Sequence, residues 1–70
     1  MSQELRTILA KNVKILREKN KFKREQLSLL LDCDNSYISK LEKRKVNITL
    51  DKLEKMTKVL NVDIKDLFKN

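Results

Sequence analysis

Asn35, Ser36, Tyr37, Ser39 and Lys40 bring a carboxamide, two hydroxyls, a phenol and an amine into one short run. Lys43, Arg44 and Lys45 follow at once. Ile38 and Leu41, three residues apart, are the two aliphatic residues of the stretch "DNSYISKLEKRK" and suit the buried stripe of a short helix. The polar set is then left on the exposed side. Groups of this kind donate and accept hydrogen bonds, and beside three cations they suit recognition by contact. Bond-breaking chemistry finds little support. The chain has no histidine, which removes the usual general base and the commonest metal ligand, and no glycine, so no phosphate-cradling loop. No carboxylate pair stands at a catalytic spacing. An enzyme is not expected, nor a metal, a cofactor or a small-molecule ligand.

Cys33 is the only cysteine, so an internal disulfide or a cysteine-based zinc site is excluded. The N-terminal stretch "MSQELRTILAKN" is too polar for a signal peptide. No run of about 18 apolar residues is present to span a bilayer. These features point to the cytoplasm, with no membrane partner. The net charge of +7 is unevenly spread: residues 1–45 carry 12 Lys/Arg against 6 Asp/Glu, and residues 46–70 carry 5 against 4. That asymmetry suits a polyanion lying against one side of the molecule. Charge by itself does not distinguish DNA, RNA and an acidic membrane.

Seventy residues make one domain, 1–70, with a small core. Apolar residues recur at helical spacing throughout, which predicts a compact all-α fold of five helices. Leu5, Ile8, Leu9, Val13 and Leu16 give a helix over about 3–19; Leu27, Leu30 and Leu31 one over about 24–31. Tyr37, Ile38 and Leu41 give a third over about 35–43, capped by Asp34. Leu50, Leu53, Met56 and Leu60 give a fourth after Thr49, another good cap. A fifth, capped by Asp63 with Asp66 at its third position, carries Ile64, Leu67 and Phe68. Without glycine, the left-handed residues that end helices fall to Asn20, Asp32, Asn47 and Asn61, the residue types nearest the breaks that best tolerate that conformation.

The second and third of these helices, joined by "DCD", form a pair over about 24–43 in which the third protrudes, with the small Ser28 at their crossing. A protruding helix fits the major groove of DNA. The stretch "REQLSLLLDCDNSYISKLEKRKVNITLDKLEKMTKVLNVDIKDLF" resembles the phage Cro and repressor family of helix-turn-helix regulators, the xenobiotic-response-element or lambda-repressor-like family. Its strongest marks are "SYISKLE" and, at a fixed distance, "NVDIKDLF". The run "VNIT" is similar, more weakly, to the small controller proteins of restriction–modification systems. The chain departs from the family at the start of the second helix, where Lys23 and Arg24 replace a small cap and a glutamine. Asp32 replaces the turn glycine. Arg44 and Ile48 replace a glycine and a proline after the third helix, the latter expected only to loosen the loop.

The resemblance implies a sequence-specific regulator of transcription that binds double-stranded DNA as a homodimer on a near-palindromic operator. It implies base reading by Asn35, Ser36, Tyr37, Ser39 and Lys40. Their chemistry fits, since asparagine pairs with adenine, lysine donates to guanine and serine takes either role. It implies phosphate contacts by Arg24, Lys43, Arg44, Lys45 and Asn47, and a partly buried salt bridge between Arg17 and Glu42. Pairing of copies falls to a segment at about 59–68, with Val59, Val62 and Ile64 as the contact residues. Cys33 is read as core packing, and Leu29 as a lone exposed leucine or a partner contact. The alternative is an adaptor or antitoxin-like partner that uses the same fold to hold another protein.

Overall fold

Ser2 opens the first helix by accepting a hydrogen bond from the amide of Leu5 (3.1 Å), and Thr49 does the same for Lys52 (3.2 Å). The computed structural model describes residues 1–70. Four α-helices follow in order: α1 (Gln3–Lys19), α2 (Arg24–Leu30), α3 (Tyr37–Glu42) and α4 (Leu50–Leu60). The fifth expected helix is a single 3-10 turn, Ile64–Leu67. It is held by i to i+3 bonds from Asp66 to Asp63 (3.0 Å) and from Phe68 to Lys65 (3.1 Å). The carboxamide of Asn12 donates to the carbonyls of Leu67 (3.0 Å) and Lys69 (2.8 Å), which ties this turn and the residues after it to α1. The fold is therefore four α-helices and a turn, not five helices.

One cluster forms the core. Leu9 and Val13 of α1 meet Leu27, Leu31, Ile38, Leu41, Leu53, Met56, Leu60 and Leu67, and Leu16, Phe22, Cys33, Tyr37 and Phe68 pack at its edge. Ile48 joins it at 8% exposure. The loop residue expected to loosen the chain after α3 instead anchors it, because a branched side chain recovers by burial what proline supplies by rigidity. Four stripe positions go the other way. Leu5, Leu30 and Ile64 are about half exposed, and Leu50, at the first position of α4, is 82% exposed.

All four α-helices end in the same way. The amides of Lys21, Asp32, Arg44 and Asn61 bond back three residues, to Glu18, Leu29, Leu41 and Lys58. The next amides reach back five, from Phe22 to Arg17, Cys33 to Ser28, Lys45 to Lys40 and Val62 to Thr57. This is the Schellman arrangement, and it needs a left-handed residue at the turn. Lys21, Asp32, Arg44 and Asn61 hold φ of 60°, 58°, 63° and 57°. Asp32 and Asn61 are the expected residues. Asn20 and Asn47 are not: the register of the helix-ending hydrogen bonds puts Lys21 and Arg44 at the strained positions. Asn20 instead turns its carboxamide onto the carbonyl of Leu16.

Candidate nucleic-acid interface

Ser28 fixes the angle between α2 and α3. Fully buried, its hydroxyl donates to the Arg24 carbonyl (2.8 Å) and accepts from the amide of Ile38 (2.9 Å), in the first turn of α3. An amide at the start of a helix has no partner within it, so a hydroxyl from the neighbouring helix is a well-matched acceptor. At the other end of α2, the Lys52 ammonium donates to the Leu31 carbonyl (2.6 Å), and Lys55 pairs with Asp32. That pairing holds the Asp32 carboxyl below the usual range. Two cations of α4 are thus committed to the C-terminal end of α2, where the helix dipole is negative.

The regular part of α3 begins at Tyr37, two residues later than the spacing predicts. Asn35 and Ser36 occupy the turn before it, closed by the Tyr37 amide on the Asp34 carbonyl (3.1 Å). The Asp34 carboxylate accepts from both the amide (2.7 Å) and the hydroxyl (2.6 Å) of Ser36, which lowers its pKa. The Ser36 hydroxyl has spent its proton there and can only accept from a partner. Asn35 and Lys40 are exposed. Tyr37 is half-buried and packs on the core. Burial lifts its hydroxyl above the ordinary phenol range, with Cys33 beside it adding to the effect. The ring therefore offers one edge to a partner, while its other side serves the fold.

Arg17 and Glu42 join α1 to the end of α3. Arg17 is 6% exposed and the Glu42 side chain is nearly as enclosed. The Arg17 Nε donates to Oε2 at 2.8 Å and Nη2 to Oε1 at 3.3 Å, while Nη1 donates to the Phe22 carbonyl at 3.0 Å. Arg24, more than half exposed, places Nη1 3.9 Å from Oε1 of Glu42. Beside this pair Lys14, Arg24, Ser39, Glu42 and Lys43 line a cleft of about 210 Å³. Arg44 holds the left-handed turn after α3, and Lys45 is exposed. Asn47 is drawn toward α1, because the Arg6 guanidinium donates to its carbonyl oxygen.

Val59, Val62 and Ile64 separate. Val62 and Ile64 line a groove of about 360 Å³ with Leu50, Leu53 and Thr57, whereas Val59 packs at the core edge outside it. At about 100° per residue, Val59 lies roughly half a turn from Leu50 on α4. Ile64 is 48% exposed. Reading the sequence missed Lys14, Arg6 and Leu50. Lys14 had a signal, since it stands three residues before Arg17 and so shares its side of α1. The place of Arg6 depends on a contact 41 residues away, which no local pattern carries.

Comparison with known proteins agrees with this geometry. A helix-turn-helix family model matches residues 13–67. A hypothetical transcription factor of Neisseria meningitidis serogroup B is 35% identical over 60 residues, which is 86% of this chain and 57% of its own length. The chain thus spans little more than half of that relative. Control protein C.BamHI of Bacillus amyloliquefaciens is 34% identical over 68 residues, 96% of this chain and 84% of its own. The crystal structure of a hypothetical transcription factor from Neisseria superposes with a TM-score of 0.87 at 30% identity, covering 99% of this chain and 80% of that one. The restriction–modification controller protein C.AhdI from Aeromonas hydrophila shares the fold, with a TM-score of 0.82 at 24% identity over 90% of this chain and 96% of its own. The chain belongs to the helix-turn-helix family of Cro and repressor type, the DNA-binding regulators of transcription.

Proposed function

We propose that two copies of the chain bind a near-palindromic operator, each laying α3 in one of two successive major grooves. The observation that carries this is the mounting of α3. The Ser28 hydroxyl and the Arg17–Glu42 pair fix it at both ends, with Lys40 exposed on it and Asn35 exposed in the turn before it. In this reading Asn35 and Lys40 read bases as donors, Ser36 accepts, and Tyr37 offers a ring edge to a thymine methyl. Arg24, Lys43, Arg44 and Lys45 hold phosphates, and Asn47 keeps its amide nitrogen free for the same use. The similarity to C.BamHI, a control protein, supports a regulatory role.

Size supports two copies. The domain extends 26 × 22 × 21 Å, and successive major grooves on one face of DNA lie about 34 Å apart. One copy reaches one half-site. The groove of Leu50, Leu53, Thr57, Val62 and Ile64, with Glu54 and Asp63 also in its lining, lies in the half of the sequence that carries little of the positive charge, so two copies can meet there while the basic half stays free for DNA. Leu50 takes the place that the sequence pattern gave to Val59. A gel shift of genomic fragments in excess competitor DNA tests the proposal. A few fragments with two-fold symmetric sites are expected to shift in two steps. Weak, salt-labile binding to every fragment alike would favour a protein-holding adaptor instead.

A further inference from the structure

Three cations from three separate elements face one another in the cleft beside Glu42: Lys14 from α1, Arg24 from α2 and Lys43 after α3. Ser39 contributes the one hydroxyl of the lining. A carboxylate in the wall would ordinarily repel an anion. Here both oxygens of Glu42 are already taken by Arg17, at 2.8 and 3.3 Å, so its charge is compensated from within. Lys14 and Lys43 have no carboxylate partner, and Arg24 has only a long approach to the already paired Glu42. Like charges gathered around a small cleft repel and cost stability, unless an anion sits between them. Arg24 is also partly oriented, with Nη1 3.9 Å from Glu42.

We infer that this cleft is the seat of one backbone phosphodiester of the bound duplex. Lys14 is its third cation, and Ser39 donates its hydroxyl to the phosphate rather than to a base edge. Ser39 then leaves the set of base-reading residues, and α1 joins the DNA surface through Lys14. The seat fixes how deep α3 enters the groove, because Ser39 belongs to α3 itself while Lys14 stands on the helix behind it. The inference rests on the DNA-binding reading given above.

The salt dependence of operator binding tests it, measured for the wild type, Lys14→Ala, Ser39→Ala and a control. Lys19→Ala is the control: it is an exposed lysine on the same helix that lines a different depression, beside Leu60 and Asn61. Losing one phosphate contact lowers the slope of log affinity against log salt by about 0.9, an affinity loss of roughly eightfold at 0.1 M salt if the lines meet at 1 M. Lys14→Ala is expected to show that loss with an unchanged or raised melting temperature, and Lys19→Ala is expected to match the wild type. Ser39→Ala is expected to weaken all sequences by one common factor. Equal slopes for Lys14→Ala and Lys19→Ala would remove the seat while leaving DNA binding intact. Relaxed preference at a single base pair in Ser39→Ala would return Ser39 to base reading and overturn the inference for it. A wild type that binds no duplex at all would defeat the DNA-binding reading, and the seat with it.

Discussion

Removing one partner of the Arg17–Glu42 pair should cost more than most substitutions in a domain of this size, and removing both should cost less than removing one. Breaking a buried pair from one side typically costs about 3–5 kcal/mol, because the remaining charge is stranded. A domain of 70 residues has roughly 4–10 kcal/mol in all at about 0.05–0.15 kcal/mol per residue. Arg17→Met strands the Glu42 carboxylate, a loss of about 3–5 kcal/mol. Arg24, at 3.9 Å, offers a partial replacement. The same change leaves the Phe22 carbonyl without its donor, worth about 1–3 kcal/mol if it stays dry.

Glu42→Leu strands a guanidinium, which cannot give up its proton. Its cost should be about 3–5 kcal/mol and exceed the share of the Arg17→Met loss that comes from the stranded charge, where Arg24 stands by as a partial replacement. The double substitution removes both charges and should recover most of either loss, short of the Phe22 carbonyl. Urea unfolding followed by circular dichroism measures all four proteins. Small losses that add strictly would refute the claim of a buried, coupled pair.

Other outcomes follow from the same geometry. Lys21→Gly should raise stability by about 1 kcal/mol, a melting shift of roughly 4–8 °C, because glycine holds the left-handed turn after α1 without strain. Arg44→Gly should likewise raise the melting temperature but weaken DNA binding, which separates the turn from the phosphate contact. Ile64→Lys should sediment as a folded monomer and lose two-step operator binding; an unchanged dimer would place the interface elsewhere. Asp32, Asp34 and Asp66 each have folded-state values lowered below 3.8, Asp32 by Lys55, Asp34 by Ser36 and Asp66 by Lys69. Their contribution is present above that value and is lost as pH falls through the lowered ones, so acid melts should steepen below about pH 4. Asp34→Asn should flatten that part of the curve.

The sequence made the helices and the protruding pair legible because their signal is local. Leu9, Val13, Leu27, Ile38 and Leu41 repeat at helical spacing, and all are buried. Which residue takes a left-handed turn was less legible. Residue type favours Asn20 and Asn47, but the count of hydrogen bonds from the helix end selects Lys21 and Arg44. The last helix is a single turn whose end is tied to α1 by Asn12, more than fifty residues away, a contact that no local pattern carries. Leu50 and Leu30 show the limit of apolar periodicity, which marks a face but does not name what covers it. At the proposed DNA surface, residue types pointed to Asn35 and Lys40. Only the fold showed that Ser36 has spent its proton on Asp34 and that Lys14 stands beside Arg24 and Lys43.

The central claim is that α3 reads base sequence, and selection from randomised duplexes tests it most directly, with wild type, Lys40→Ala and Lys43→Ala run in parallel. The wild type should enrich one motif with two-fold symmetry. Lys40→Ala should enrich the same motif relaxed at one base pair in each half, with a loss of about 1–3 kcal/mol on the original site. Lys43→Ala should return the unaltered motif at lower affinity. The account is contradicted if no motif emerges from the wild type, or if Lys40→Ala and Lys43→Ala return the same unrelaxed motif.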